Sequence, residues 1–128
     1  MRINIVKAKP IHLNLFVISF PITAISSICH RISGIWIFIC LPFLLMILQE
    51  SLASLESFSN IVNKFDNIFY KLFFFSFLFA CVYHAIAGIR HIIMDFGFFE
   101  SKKDSKITSW IIIITSIIIC LCLGVYLW

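Results

Sequence analysis

Long stretches without a charged residue alternate along this chain with short polar ones. Residues 72 to 89, LFFFSFLFACVYHAIAGI, carry no Asp, Glu, Lys or Arg. The stretch from Ile32 to Gln49 is equally free of formal charge, as is IIIITSIIICLCLGVYLW at residues 111 to 128. A helix needs about 20 largely apolar residues to cross the hydrocarbon core of a bilayer. Three segments reach that length and are predicted to span: about Ser26 to Gln49, about Tyr70 to Ile89 and about Ile107 to Trp128. Between the first two lies a Ser- and Asn-rich polar loop, ESLASLESFSNIVNKFDNIF. Between the last two lies RHIIMDFGFFESKKDSK, with Gly97 and a mixed charge cluster.

The stretch from Ile11 to Thr23 is also apolar, but Pro21 breaks it. Only His30 and Arg31 would separate it from the next span, which is very short for a helix reversal in lipid. An interfacial arm over about residues 1 to 25 is the more economical reading. The fold class expected is all-α: an integral membrane protein with three transmembrane helices and an N-terminal interfacial arm. Residues 1 to 128 would form a single membrane domain.

Composition sharpens this picture. Of the 128 residues 62% are hydrophobic and 12% charged, against about 25% charged in an ordinary soluble domain. A soluble chain of this length could not hide so much apolar surface from water, so the bilayer must cover much of it. Ten Lys and Arg face six Asp and Glu, a net charge of +4. No basic run suggests nucleic-acid binding; the positive charges fall at the ends of apolar segments. Arg2, Lys7, Lys9 and Arg31 mark the N-terminal side, and Arg90, Lys102, Lys103 and Lys106 the second loop. The first loop has only Lys64 and Lys71. The N-terminus and second loop are therefore expected in the cytoplasm, the first loop and C-terminus outside. Five cysteines, an odd number without a CxxC spacing, read as small buried hydrophobes. The N-terminus lacks the pattern of a cleaved leader.

The chemistry concentrates at two places. His84 sits inside the second span, where a polar imidazole is costly without a partner. Residues three, four and seven apart share a helix face, which groups His84 with Gly88, His91 and Asp95. The same spacing groups Ser27, His30, Arg31 and Gly34 in the first span. Both stripes lie toward the cytoplasmic side. A neutral imidazole ligates haem iron, and Arg31 suits carboxylates such as haem propionates. The alternatives are an interhelical hydrogen bond at His84, plain anchoring of Arg31, Arg90 and His91 at lipid headgroups, and helix packing or capping for Ser27. His12 reads as interfacial, the third span as scaffold, and Trp110 and Trp128 as belt residues.

FPITAISSICHRISG at residues 20 to 34 and YHAIAGIRHIIMDFG at residues 83 to 97 resemble the cytochrome b membrane-anchor subunit of succinate dehydrogenase, in its proteobacterial form. The pattern is Ser, His-Arg, a small residue and Gly, followed by His and Gly-Ile-Arg-His with a later Asp. The resemblance covers the whole chain. It implies that His84 is an axial ligand of haem b, shared with a second anchor subunit that supplies the other axial His. It also implies that His30 and His91 lie near the propionates, that Ser27 and Arg31 line a ubiquinone pocket, and that Asp95 sits at its edge. With no flavin fingerprint and no iron–sulfur cysteine spacing here, succinate chemistry belongs to separate flavoprotein and iron–sulfur subunits. Further expectations are a bacterial inner membrane location and no catalytic residue for succinate oxidation. The rivals are a fumarate reductase anchor and a structural membrane subunit without haem.

Overall fold

A computed structural model describes residues 19–127. Most of the expected arm, with His12 and the basic residues Arg2, Lys7 and Lys9, falls outside those residues, as does Trp128. Four helices follow in order: α1 (Ile22–Ala53), α2 (Leu55–Lys64), α3 (Ile68–Asp95) and α4 (Lys102–Leu127). Among the described residues there is no strand. The helices α1, α3 and α4 are each long and apolar enough to cross a membrane, so the all-α, three-span architecture holds. Residues 22–25, assigned above to the arm, instead begin α1. Pro21 is extended and caps the helix by accepting Ala24 N–H at 2.9 Å. At 32 residues α1 is about 48 Å long, so its ends reach beyond the hydrocarbon core.

The ends of the other helices follow local chemistry. Ser101 Oγ accepts the backbone N–H of Asp104 at 3.1 Å and donates to its carboxylate at 2.6 Å, which starts α4. At the end of α3, Gly97 takes φ +85°. Gly97 N–H donates to Met94 O and Phe98 N–H to Ile93 O. That Schellman closure requires a left-handed residue, which glycine adopts without a Cβ penalty. The polar first loop is not irregular throughout, as its composition suggested. It contains α2, whose first turn is capped by Ser54 Oγ accepting Ser57 N–H at 3.0 Å.

Lipid removes the hydrophobic drive for helix pairing, so close packing must replace it. Small residues at heptad-like spacing supply it. In α1 the buried positions are Ser26, Ser33 and Cys40; in α4 they include Ser109, Ser116 and Cys120; in α3 they include Ala80 and Ala87. Tyr83, Ala87 and Ile112 form the central apolar contact between α3 and α4. Hydrogen bonds cross the same seams. Tyr83 OH donates to Ser26 O at 3.0 Å, and Trp36 Nε1–H to Ser76 Oγ at 3.3 Å. Arg90, which stands near a helix end where snorkelling to headgroups was one reading, is buried instead. Its Nε–H donates to Thr108 Oγ1 at 2.9 Å and its Nη2 to Ser105 Oγ at 2.9 Å and Ser105 O at 3.1 Å. It ties α3 to the first turns of α4.

Ser116 is 0% exposed, and its hydroxyl only bonds Ile112 O in its own helix. Ser116→Leu should therefore force α4 outward and cost about 1–3 kcal/mol, read as a lower melting temperature of the purified membrane assembly. Ser116→Ala, which keeps the volume small, should stay within about 1 kcal/mol of the parent.

Candidate functional site: a histidine cluster between the first and third helices

Antiparallel α1 and α3 bring His30 and His84 together at the end of the bundle where α1 begins. Their rings stack with centroids 4.2 Å apart and planes 18° from parallel. His91, two turns along α3 from His84, lies with its ring 5.1 Å from that of His30. Close approach depends on Gly34. A Cβ there would sit 2.9 Å from His84 Cε1, nearer than real side chains tolerate. The sequence stripe contained Gly34 without explaining it; here it is the floor under the His84 ring. Gly88 differs. Among the described residues a Cβ there would meet His30 Nε2 alone, at an ordinary 3.6 Å, so none of them requires a glycine at that point.

The hydrogen bonds assign the state of His84. Its Nδ1 is 3.1 Å from His30 O and 3.1 Å from Ser33 Oγ. A carbonyl oxygen only accepts, so Nδ1 must carry the proton. Ser33 Oγ–H is itself directed to His30 O at 2.7 Å, which leaves the serine oxygen free to accept a share of the same Nδ1–H. In a neutral imidazole the other nitrogen, Nε2, then holds a bare lone pair. No hydrogen bond engages Nε2 among the described residues. A histidine that donates one ring N–H to a backbone carbonyl is oriented and tautomerically set for metal ligation through the other nitrogen. His30 presents a complementary feature: its Nε2 is buried and has no hydrogen-bond partner among the described residues, a costly condition that invites a further polar group.

The remaining expected residues sit around this pair. Gly34, Ser27 and Arg31 lie within about 60° of one another around α1. Gly34, at the edge of that arc nearest α3, meets the His84 ring, whereas Ser27 and Arg31 are turned away from the buried seam of Ser26, Ser33 and Cys40. Ser27 is half-buried and Arg31 exposed. Asp95, the last residue of α3, is exposed. Arg31 and Asp95 make no ion pair; the ion pair among the described residues is Lys64–Glu50, at the other end of the bundle. The cluster thus unites His30, His84 and His91, with Ser27 and Arg31 flanking it on the open side. No group of three His, Cys, Asp or Glu side chains could enclose a metal ion among the described residues, so a metal held here would need ligands from beyond them.

Three features escaped the sequence reading: Ser33, the Tyr83–Ser26 bond and the Arg90–Ser105–Thr108 clasp. The seven-residue recurrence of Ser26, Ser33 and Cys40 was a usable signal for the first two, because small residues at that spacing mark a helix seam. The third requires knowing how α3 and α4 pair.

Three long apolar helices, with a histidine cluster toward one end of the bundle, define a multi-pass membrane subunit. The chain belongs to the succinate dehydrogenase/fumarate reductase transmembrane subunit family, whose model matches residues 6–123. It is 38% identical over 121 residues to the succinate dehydrogenase cytochrome b556 subunit of Coxiella burnetii, covering 94% of this chain and 97% of that relative. It is 35% identical to the cytochrome b560 subunit of Chondrus crispus, over 87% of this chain and 91% of the relative. Identity to the cytochrome b556 subunit of Rickettsia prowazekii is 27%, with 95% of both chains covered.

The 2.9 Å approach at Gly34 generates a direct test. Gly34→Ala should displace the His84 ring or splay α1 from α3, at about 1–3 kcal/mol. The expected readout is a lower melting temperature together with an altered ring 15N shift of His84 in labelled, purified assembly.

Proposed function

We propose that this chain is a haem b-binding anchor of a succinate:ubiquinone oxidoreductase, and that His84 Nε2 is one axial ligand of the haem iron. The observation that carries this reading is the pinning of His84 Nδ1–H on the His30 carbonyl, which leaves the opposite lone pair free. A second histidine ligand would come from another anchor subunit, since among the described residues no group of His, Cys, Asp or Glu side chains could hold a metal ion unaided. The orphaned Nε2 of His30, with His91 beside it, suits the haem propionates: each can donate a hydrogen bond to a carboxylate. The relatives' names, cytochrome b556 and b560 subunits of succinate dehydrogenase, support the haem and a place in succinate dehydrogenation.

Bound haem supplies a one-electron redox centre close to the quinone site. The work of this chain's own residues is positioning. Ser27 Oγ donates a hydrogen bond to a ubiquinone carbonyl oxygen. Arg31 places a fixed cation where negative charge develops on that oxygen during reduction, which lowers the barrier. Asp95, at the edge of the same flank, exchanges protons with the aqueous phase. Electrons reach this flank from an iron–sulfur subunit, which is fed by a flavoprotein that oxidises succinate. Both dock on the side where α1 begins. That side is the cytoplasmic face of a bacterial inner membrane, and the end of α4 faces the periplasm, in keeping with the basic residues Arg31, Lys102, Lys103 and Lys106 on the cytoplasmic side.

The reduced-minus-oxidised visible spectrum of the assembly purified with its partners should show a b-type band that His84→Ala abolishes. An intact band in that variant overturns the ligand assignment. Arg31→Ala should slow ubiquinone reduction on the order of 10²-fold or more, with succinate oxidation by a soluble dye acceptor unchanged. Unaltered quinone kinetics would remove Arg31 from the site.

A further inference from the structure

We propose that α2 lies in the membrane interface at the end of the bundle opposite the histidine cluster, with Leu55, Phe58 and Val62 set among lipid headgroups and upper acyl chains. The helix is amphipathic. At 100° per residue, Leu55, Phe58, Ile61 and Val62 fall within an arc of about 120°, and Glu56, Ser57, Ser59, Asn60, Asn63 and Lys64 fill the rest. The apolar arc is split in use. Ile61 is buried against the bundle, whereas Leu55, Phe58 and Val62 remain 86%, 52% and 50% exposed. In water, three such side chains presented together would be a liability on so small a helix.

The surroundings specify lipid as the occupant. A single residue, Ser54, separates α2 from the end of α1, and three residues separate it from α3, so it cannot leave the height at which those helices end. The flanking residues at that height are themselves apolar and open: Leu48 and Leu52 on α1, Ile68 and Phe69 on α3. The exposed arc of α2 is therefore continuous with the lipid-facing belt of the spans. Its orientation is held at both ends. Ser54 caps the first turn, and Lys64 Nζ reaches Glu50 at 3.1 Å across to α1. Aromatic contacts of Phe65 with Tyr70 and Phe74 fix the exit into α3. A helix of this length, about 15 Å, with a polar arc facing water and an apolar arc facing the acyl boundary, fits the geometry of interfacial helices. The inference rests on the three spans alone and is independent of the haem and quinone assignments.

The test places a spin label on α2 by Phe58→Cys in the full chain, within its purified membrane assembly reconstituted in lipid nanodiscs, with the unsubstituted chain as background. Collision with oxygen, which concentrates in lipid, and with a water-soluble nickel chelate is read by power saturation. Lipid insertion predicts several-fold more collision with oxygen than with nickel at position 58, and the reverse at Asn60→Cys on the polar arc. Leu55→Cys and Val62→Cys should behave as position 58 does and serve if Phe58→Cys does not assemble. Dominant nickel collision on the apolar arc would show a water-exposed face and overturn the proposal. Low collision with both reagents would show a protein partner covering it and overturn the proposal equally.

Discussion

Lipid neither drives apolar surfaces together nor accepts a hydrogen bond, and most of this architecture answers those two facts. The helices cannot associate by hiding leucine from water, so they associate where small residues let their backbones approach. Ser26, Ser33 and Cys40 on α1 meet helices that present Ala80, Ala87, Ser109, Ser116 and Cys120. Among the described residues, every buried side-chain nitrogen and oxygen in these seams has a hydrogen-bond partner, apart from one nitrogen of His30. The exception matters because the rest of the seam obeys the rule so closely.

The same close packing creates the site. Two imidazoles can stack at 4.2 Å only if the helices that carry them nearly touch, and they nearly touch because Gly34 has no side chain. Closeness in turn puts the His30 carbonyl within reach of His84 Nδ1. A main-chain oxygen of the first helix thereby decides which nitrogen of a histidine on the third is available. Scaffold and chemistry are not separable here. Ser33 belongs to both, since it lies in the buried seam and bonds the imidazole.

Much of this was legible beforehand. Charge-free runs of sufficient length reveal spans because the cost of a charge in lipid is large, and helical spacing placed His30 beside His84 and His91 at one end of the bundle. The spans were nonetheless drawn short: α1 starts at Ile22 because Pro21, read as a break, works as a cap. The missing helix α2 shows a second limit. Its Ser and Asn content resembled a loop, while its periodicity of Leu55, Phe58, Ile61 and Val62 carried the real signal. The hydrogen-bond partner of Ser33 and the burial of Arg90 were beyond reach for a different reason. A serine's partner and a basic residue's burial depend on which helices pair, and periodicity within one helix does not contain that. Arg31 and Asp95, exposed on the open flank, are the converse: their chemistry was visible in the sequence, but this chain alone does not enclose them.

The Arg90 clasp has a consequence for how the chain enters a membrane. A guanidinium carries five N–H donors and keeps its charge; an unpaired charge costs about 2.5–3.5 kcal/mol at the bilayer centre on the milder insertion scales and less toward the end of a span, where Arg90 stands. The acceptors that relieve this cost, Ser105 and Thr108, belong to the segment synthesised immediately afterwards, separated from α3 by six residues. Released alone, α3 would bear that penalty; released with the first turns of α4, it would not. For this charge the unit that lipid accepts is a helical hairpin rather than a helix.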